Sequence, residues 1–150
     1  MQKTSTPSYE NTPQVLVALQ MLLSASLSLS NRVQEAHWNV KGTNFGPLHE
    51  LFGEIYDFLT DGADLVAERI VQLGGQAIAD PQGGPLFGDD MTLLVSLRTA
   101  LQDLAEGFKA GIELSADIDQ VTGDILIELG RETEKWLWKI EAHTQKVEQL

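Results

Sequence analysis

The sequence predicts an all-α domain, a four-helix bundle with a long crossover between its second and third helices. Three observations predict it. Apolar residues recur at spacings of three, four and seven through four long segments, the period of one face of a helix. The stretch densest in glycine and proline, GGQAIADPQGGPLFGDD, falls between the second and third of those segments and reads as a connection. Short loops within each pair of helices, with one long link between the pairs, describe a bundle with a crossover.

The first helix runs from Pro13 to about Lys41, with Thr12 as its N-cap and Pro13 at its first position. Val15, Leu19, Leu22, Leu29, Val33 and Ala36 form its stripe. LSASLSLS, from Leu23 to Ser30, alternates with period two and in isolation reads as a strand. The longer window fits a helix, and serines opposite the stripe suit one packed closely by its neighbours. After the loop KGTNFG, Pro47 opens the second helix, whose apolar face is Leu48, Leu51, Phe52, Ile55, Leu59, Ala63, Val66, Ile70 and Leu73. Gly74-Gly75 stops it. The third helix extends from about Asp90 to Ala116, and the fourth from about Thr122 onward with Ile125, Leu129, Trp136, Ile140 and Val147 on one side. Residues 1–12 then form a flexible polar tail, and 13–150 the single bundle domain.

Composition narrows the function. The hydrophobic fraction of 43% and the 5 prolines exclude a disordered chain, and the lack of cysteine removes disulfides, thiolate metal sites and thiol nucleophiles. A formal charge of −12 repels nucleic-acid phosphates and attracts cations. Divalent metals fit such a surface; nucleic-acid binding is not expected. Pro13 to Ser30 carries no charge, but its two glutamines and four serines make a poor bilayer span. With no secretion signal in MQKTSTPSYENT, the expected location is cytoplasmic, away from any membrane.

The candidate chemistry lies with His37, His49, Asp64 and Glu68. On the second helix, Gly53, Asp64 and Glu68 return to about 40°, 60° and 100° from His49. Asp64 and Glu68 also form an i,i+4 pair. Two imidazoles and two carboxylates are a ligand set that iron, manganese or zinc accepts in a helical bundle. Length restricts the geometry: fifteen residues of straight helix put Asp64 roughly 22 Å from His49. His37, just before the short loop, lies level with His49 instead. The economical solution is a two-fold dimer with antiparallel second helices, in which the histidines of one chain face the carboxylates of its mate, twice over. Read singly, each residue has a plainer role: Asp64 and Glu68 as a solvated acidic face, His37 as a core histidine bonded to a carbonyl, and His143 as a solvent-facing helix-end side chain.

H-W-N-V-K-G, followed by N-F-x-x-L-H-E-L-F and D-x-x-x-E-R-I-x-x-L-G-G, resembles the Dps family, the mini-ferritins within the ferritin-like superfamily. The likeness is close over residues 35–75. It continues more weakly through Asp119-x-x-Thr122-x-Asp124-Ile125-Leu126 and Glu134-Lys135-x-x-Trp138. The resemblance implies a dodecameric cage of two-fold dimers that oxidises Fe(II) with hydrogen peroxide or oxygen at its dimer interfaces and stores Fe(III) as mineral, a ferroxidase protective against peroxide. It implies His37, His49, Asp64 and Glu68 as iron ligands, with zinc or manganese as competitors. Trp38 would pack beside the site, and Asp119 and Asp124 would line an acidic entry pore.

The chain departs from that pattern at Gly53, where the family carries a carboxylate four residues after the second histidine. Glycine costs a helix about 1 kcal/mol relative to alanine and supplies no ligand. Glu54 sits about 100° further round, and Asp57 reaches only through water or a shifted metal. The expectation is one well-formed iron position and a weaker second, with Gly53→Asp raising the oxidation rate. The alternative function is a metal-binding or structural cage with impaired ferroxidase activity. The Gly75–Asp90 connection is also more glycine-rich than is usual in the family, which places a short extra helix there in doubt.

Overall fold

A computed structural model describes residues 4–144. It comprises α1 (Thr12–Asn39), α2 (Phe45–Gln72), α3 (Asp90–Ser115) and α4 (Gln120–Thr144), and no strand among the described residues. The expected stripes are the buried ones. Val15, Leu19, Leu22, Leu29, Val33 and Ala36 of α1 and the whole α2 series from Leu48 to Leu73 lie in one core with Leu97, Leu101, Phe108, Leu126 and Ile140. In α4, Leu129 and Trp136 are buried and Ile125 partly so, while Val147 lies outside the described residues. α1 is long and apolar enough to cross a membrane by length and composition. Here its apolar face packs against α2 and α3.

Helix ends differ from expectation in detail. Asn11, in a left-handed conformation with φ 53°, occupies the N-cap of α1, so Thr12 is already helical. Its hydroxyl donates back to the Tyr9 carbonyl at 2.8 Å. α2 begins at Phe45 rather than Pro47; the third residue of a helix still needs no intrahelical N–H partner, which is why proline fits there. The stop of α2 follows the expected glycines closely. Gly74 takes φ 89°, its N–H bonds Val71 O at 3.0 Å, and Gly75 N–H bonds Ile70 O at 2.9 Å, the two bonds of a Schellman motif. α3 is capped by Asp89, whose carboxylate accepts from Thr92 N–H at 2.8 Å.

The crossover contains no helix between Gly75 and Gly88. Its backbone polar groups still need partners, and polar side chains of α1 supply three contacts. The Gln20 amide pairs both ways with Ile78, donating to its carbonyl at 2.9 Å and accepting from its N–H at 3.1 Å. Ser28 Oγ accepts from Gln82 N–H at 2.6 Å, and Glu35 accepts from Leu86 N–H at 3.0 Å. The register is physical: four extended residues advance about 13 Å, close to the roughly 11–12 Å of seven or eight helical residues. The crossover therefore climbs alongside α1 and returns the chain to the end where α2 began, so α3 runs parallel to α2.

Candidate metal centre

The α1–α2 turn brings His37 and His49 together in a reciprocal arrangement. His37 Nδ1–H donates to the His49 carbonyl at 2.6 Å, and His49 Nδ1–H donates to the His37 carbonyl at 2.6 Å. A carbonyl oxygen only accepts, so each Nδ1 carries a proton, and in the neutral ring it is Nε2 that holds the lone pair. The His37 carbonyl is among the last four of α1, which lack intrahelical donors; His49 satisfies it. The two rings stack with centroids 3.8 Å apart at 13°, and Phe45 stacks on His49 at 4.9 Å and 22°. Both imidazoles are half-buried.

Phe45 was not singled out in the sequence, although its i,i+4 spacing to His49 on a helix is a usable signal. Gly53 faces the same pair. A β-carbon there would lie 3.0 Å from His37 Cε1 and 3.2 Å from its Nδ1. The space beside the glycine is filled by the His37 imidazole.

Asp64 and Glu68 are exposed on α2, about four and five turns from His49 respectively. No three His, Asp or Glu side chains among the described residues come close enough to hold an ion. The chain thus brings its nitrogen donors together and keeps these carboxylates apart from them. Trp38 is 63% exposed beside His37. Glu54, Asp57 and His143 are also exposed.

The two acidic residues expected at a pore separate. Asp124 is exposed on α4, but Asp119 is 1% exposed. Its carboxylate meets Arg69 Nη2 at 3.1 Å, accepts from Thr122 N–H at 2.9 Å and from the Thr122 hydroxyl at 2.6 Å. Arg69 Nε donates to the same Thr122 oxygen at 2.9 Å and Nη1 to Gln72 at 3.1 Å. Its guanidinium stands 5.4 Å over the Tyr9 ring. Within the chain, Asp119 caps the start of α4 and neutralises a buried arginine that ties α2 to α4.

A four-helix bundle with a crossover, carrying paired histidines at one end, defines a class. Residues 16–150 match the ferritin-like domain family. The chain is 30% identical to the DNA protection during starvation protein of Agrobacterium fabrum, over 88% of each chain. It is 32% identical to that of Mycolicibacterium smegmatis, over 85% of this chain and 75% of the relative. Among solved structures, DpsA14 from Streptomyces coelicolor superposes with a TM-score of 0.88 at 30% identity, covering 97% of this chain and 94% of its own. The Dps protein from Vibrio cholerae, described as a member of a broad superfamily of ferritin-like diiron-carboxylate proteins, gives 0.83 at 25% identity over 89% and 91%. The chain belongs to the Dps family of ferritin-like proteins.

Proposed function

We propose that the protein stores and detoxifies iron, oxidising Fe(II) at sites shared between two subunits and retaining the Fe(III) inside a hollow homo-oligomer, a dodecamer of two-fold dimers. The observation that carries this reading is the His37–His49 interlock. It commits both Nδ1–H groups to backbone carbonyls, which makes Nε2 the nitrogen through which each histidine would ligate a metal. The same chain offers those donors no third partner, so the oxygen ligands come from Asp64 and Glu68 of a second copy. Apolar side chains exposed at both ends of the arrangement, Trp38 and Phe45 beside the histidines and Leu65 beside Asp64, support a covering partner.

Iron is the substrate here, and the residues divide its handling. The imidazoles hold Fe(II), while the carboxylates, harder donors, stabilise the oxidised product. Two Fe(II) ions give one electron each to one hydrogen peroxide, whose O–O bond breaks and which leaves as two waters after taking up two protons. With Gly53 supplying no oxygen, one position per site is well formed and the second weaker, so oxidation is slower than at a fully ligated pair. Zinc and manganese compete for the same donors. Asp124 contributes to the acidic entry path, and Trp38 excludes water beside His37 once a partner covers it. The charge of −12 argues against direct DNA binding; protection of DNA, which the relatives' names describe, would come through removal of iron and peroxide in the cytoplasm. A low-salt gel shift is expected to leave plasmid DNA unretarded.

Subunit complementation tests the shared site. His37→Ala/His49→Ala subunits and Asp64→Asn/Glu68→Gln subunits are each expected to lose protein-dependent Fe(II) oxidation by peroxide, followed by absorbance. Co-assembled, they form mixed dimers with one intact site, and activity returns. Two inactive parents whose mixed assembly stays inactive, with dimers verified by mass, would remove the reading. The second reading, a metal-binding cage without useful ferroxidase activity, is favoured by Gly53 alone, and it predicts that the unsubstituted protein's oxidation trace matches buffer.

A further inference from the structure

We infer that the recess between α1 and the crossover is a phosphate site: Arg32 supplies the charge, the Gly83–Gly84 backbone supplies neutral donors, and Glu35 selects an anion that still carries a proton. The recess, about 200 Å³ and lined by neither histidine of the metal centre, opens between the two points where Ser28 and Glu35 hold the crossover. Arg32 lines it one turn beyond Ser28.

Arg32 is the anomaly that marks the place. Arg69, by contrast, is matched by Asp119, Thr122 and Gln72. Arg32 belongs to neither ion pair of the described residues, and its Nε is buried with no hydrogen-bond partner. Glu35 lines the same recess and Asp103 the groove on the other side of Arg32, yet neither pairs with it. A guanidinium drawn away from water without a counter-charge is destabilising, and its planar fork matches an oxyanion.

The crossover offers the rest of the cradle. The N–H groups of Gln82 and Leu86 are committed to Ser28 and Glu35, and Pro85 has none. Gly83 and Gly84 therefore carry the donors left between those two points, and neither bonds another backbone group. Gly83 takes φ 98°, a conformation that calls for glycine. Gly84 has no such need: its φ is not positive, and a β-carbon there would meet nothing within 4 Å. A bare backbone that the chain itself does not require is what close approach to a ligand requires. Pro81 and Pro85 stiffen the segment on either side, which lowers the ordering cost of binding.

Glu35 decides which anion enters. One of its oxygens accepts from Leu86 N–H. An ionised carboxylate in the wall repels sulfate or another carboxylate, which have no proton to share. Phosphate near neutrality keeps a proton that it donates to Glu35, while its other oxygens accept from Arg32 and the glycines. The charge of −12 repels anions at large, so affinity has to come from these local groups.

Calorimetric titration of the metal-free, full-length protein with inorganic phosphate tests the site. The parent is expected to bind phosphate, and sulfate far more weakly. Arg32→Gln should weaken phosphate binding roughly 10–100-fold, the effect of losing one charged hydrogen-bond partner. Glu35→Gln keeps an acceptor for Leu86 and adds a donor, so sulfate should then bind about as well as phosphate. Gly84→Ala should weaken phosphate while the thermal midpoint of the anion-free protein stays level or rises, a split that a merely structural glycine would not give. A parent whose heats match dilution, or an Arg32→Gln protein that binds as the parent does, overturns the site. Equal affinity of the parent for phosphate and sulfate overturns the selection by Glu35, and unchanged affinity in Gly84→Ala removes the glycine backbone from the cradle.

Discussion

Asp119 and Asp124 stand five positions apart in one acidic motif, yet they answer to different forces. Asp119 faces a buried guanidinium and the first turn of α4, so its charge is neutralised internally; Asp124 faces solvent. Removing one member of a buried pair leaves the other charge stranded, which costs about 3–5 kcal/mol. Asp119→Ala is accordingly expected to lower unfolding free energy by about that amount in urea, with Asp124→Ala producing little change. Sequence alone offers both as carboxylates near the start of a helix. The inward one is identified only by Arg69, fifty residues away, whose partners depend on how α2 and α4 pack. His37 and Gly53 pose the same problem: the length argument places the histidines together, but contact between an imidazole and a bare helix backbone sixteen residues away depends on the hairpin's actual spacing.

At the level of the helices, far more could be read in advance. Four stripes set four helices, because each must bury one face and the period of burial is the period of the backbone. The ends were less legible where competing caps sit side by side. Asn11 and Thr12 are both good N-caps, and the turn that sends the Thr12 hydroxyl to Tyr9 decides between them. The cap of α3 makes a pH prediction. Thr92, through its backbone N–H and then its hydroxyl, holds the Asp89 carboxyl below its ordinary value of 3.8, against a small opposing effect of burial. A carboxyl with a lowered folded-state pKa stabilises above its unfolded value and loses that contribution as pH falls through the folded one. Asp89→Asn keeps a capping oxygen without the charge. Its thermal midpoint should lie below the parent's near neutrality, and the two should converge below pH 3.8.

For the molecule as a whole, charge and assembly act together. A net charge of −12 per chain, repeated in each copy of a homo-oligomer, attracts cations such as Fe(II) over distances set by the Debye length, about 10 Å at 0.1 M salt. Raising ionic strength is therefore expected to slow oxidation at limiting Fe(II) several-fold in stopped-flow absorbance, while the rate at saturating Fe(II) changes little. Equal loss at both concentrations would place the salt effect inside the site instead. The proposed two-fold dimer rests on one distance along one helix: nitrogen and oxygen donors about 22 Å apart could meet at one ion only if two copies of the chain supplied them. The buried Asp119, the His37 ring against Gly53 and the crossover path were beyond such reasoning, since each depends on contacts between elements distant in the chain.

The strap of Gln20, Ser28 and Glu35 has one more consequence. Between Pro81 and Pro85 the polypeptide is exposed and belongs to neither helical pair, so a protease nick there would sever a tether while each pair kept its own turn and its share of the apolar core. The two pieces, separately expressed, should find one another and rebuild the bundle, with the docking of the severed ends onto α1 as the step that fixes their orientation.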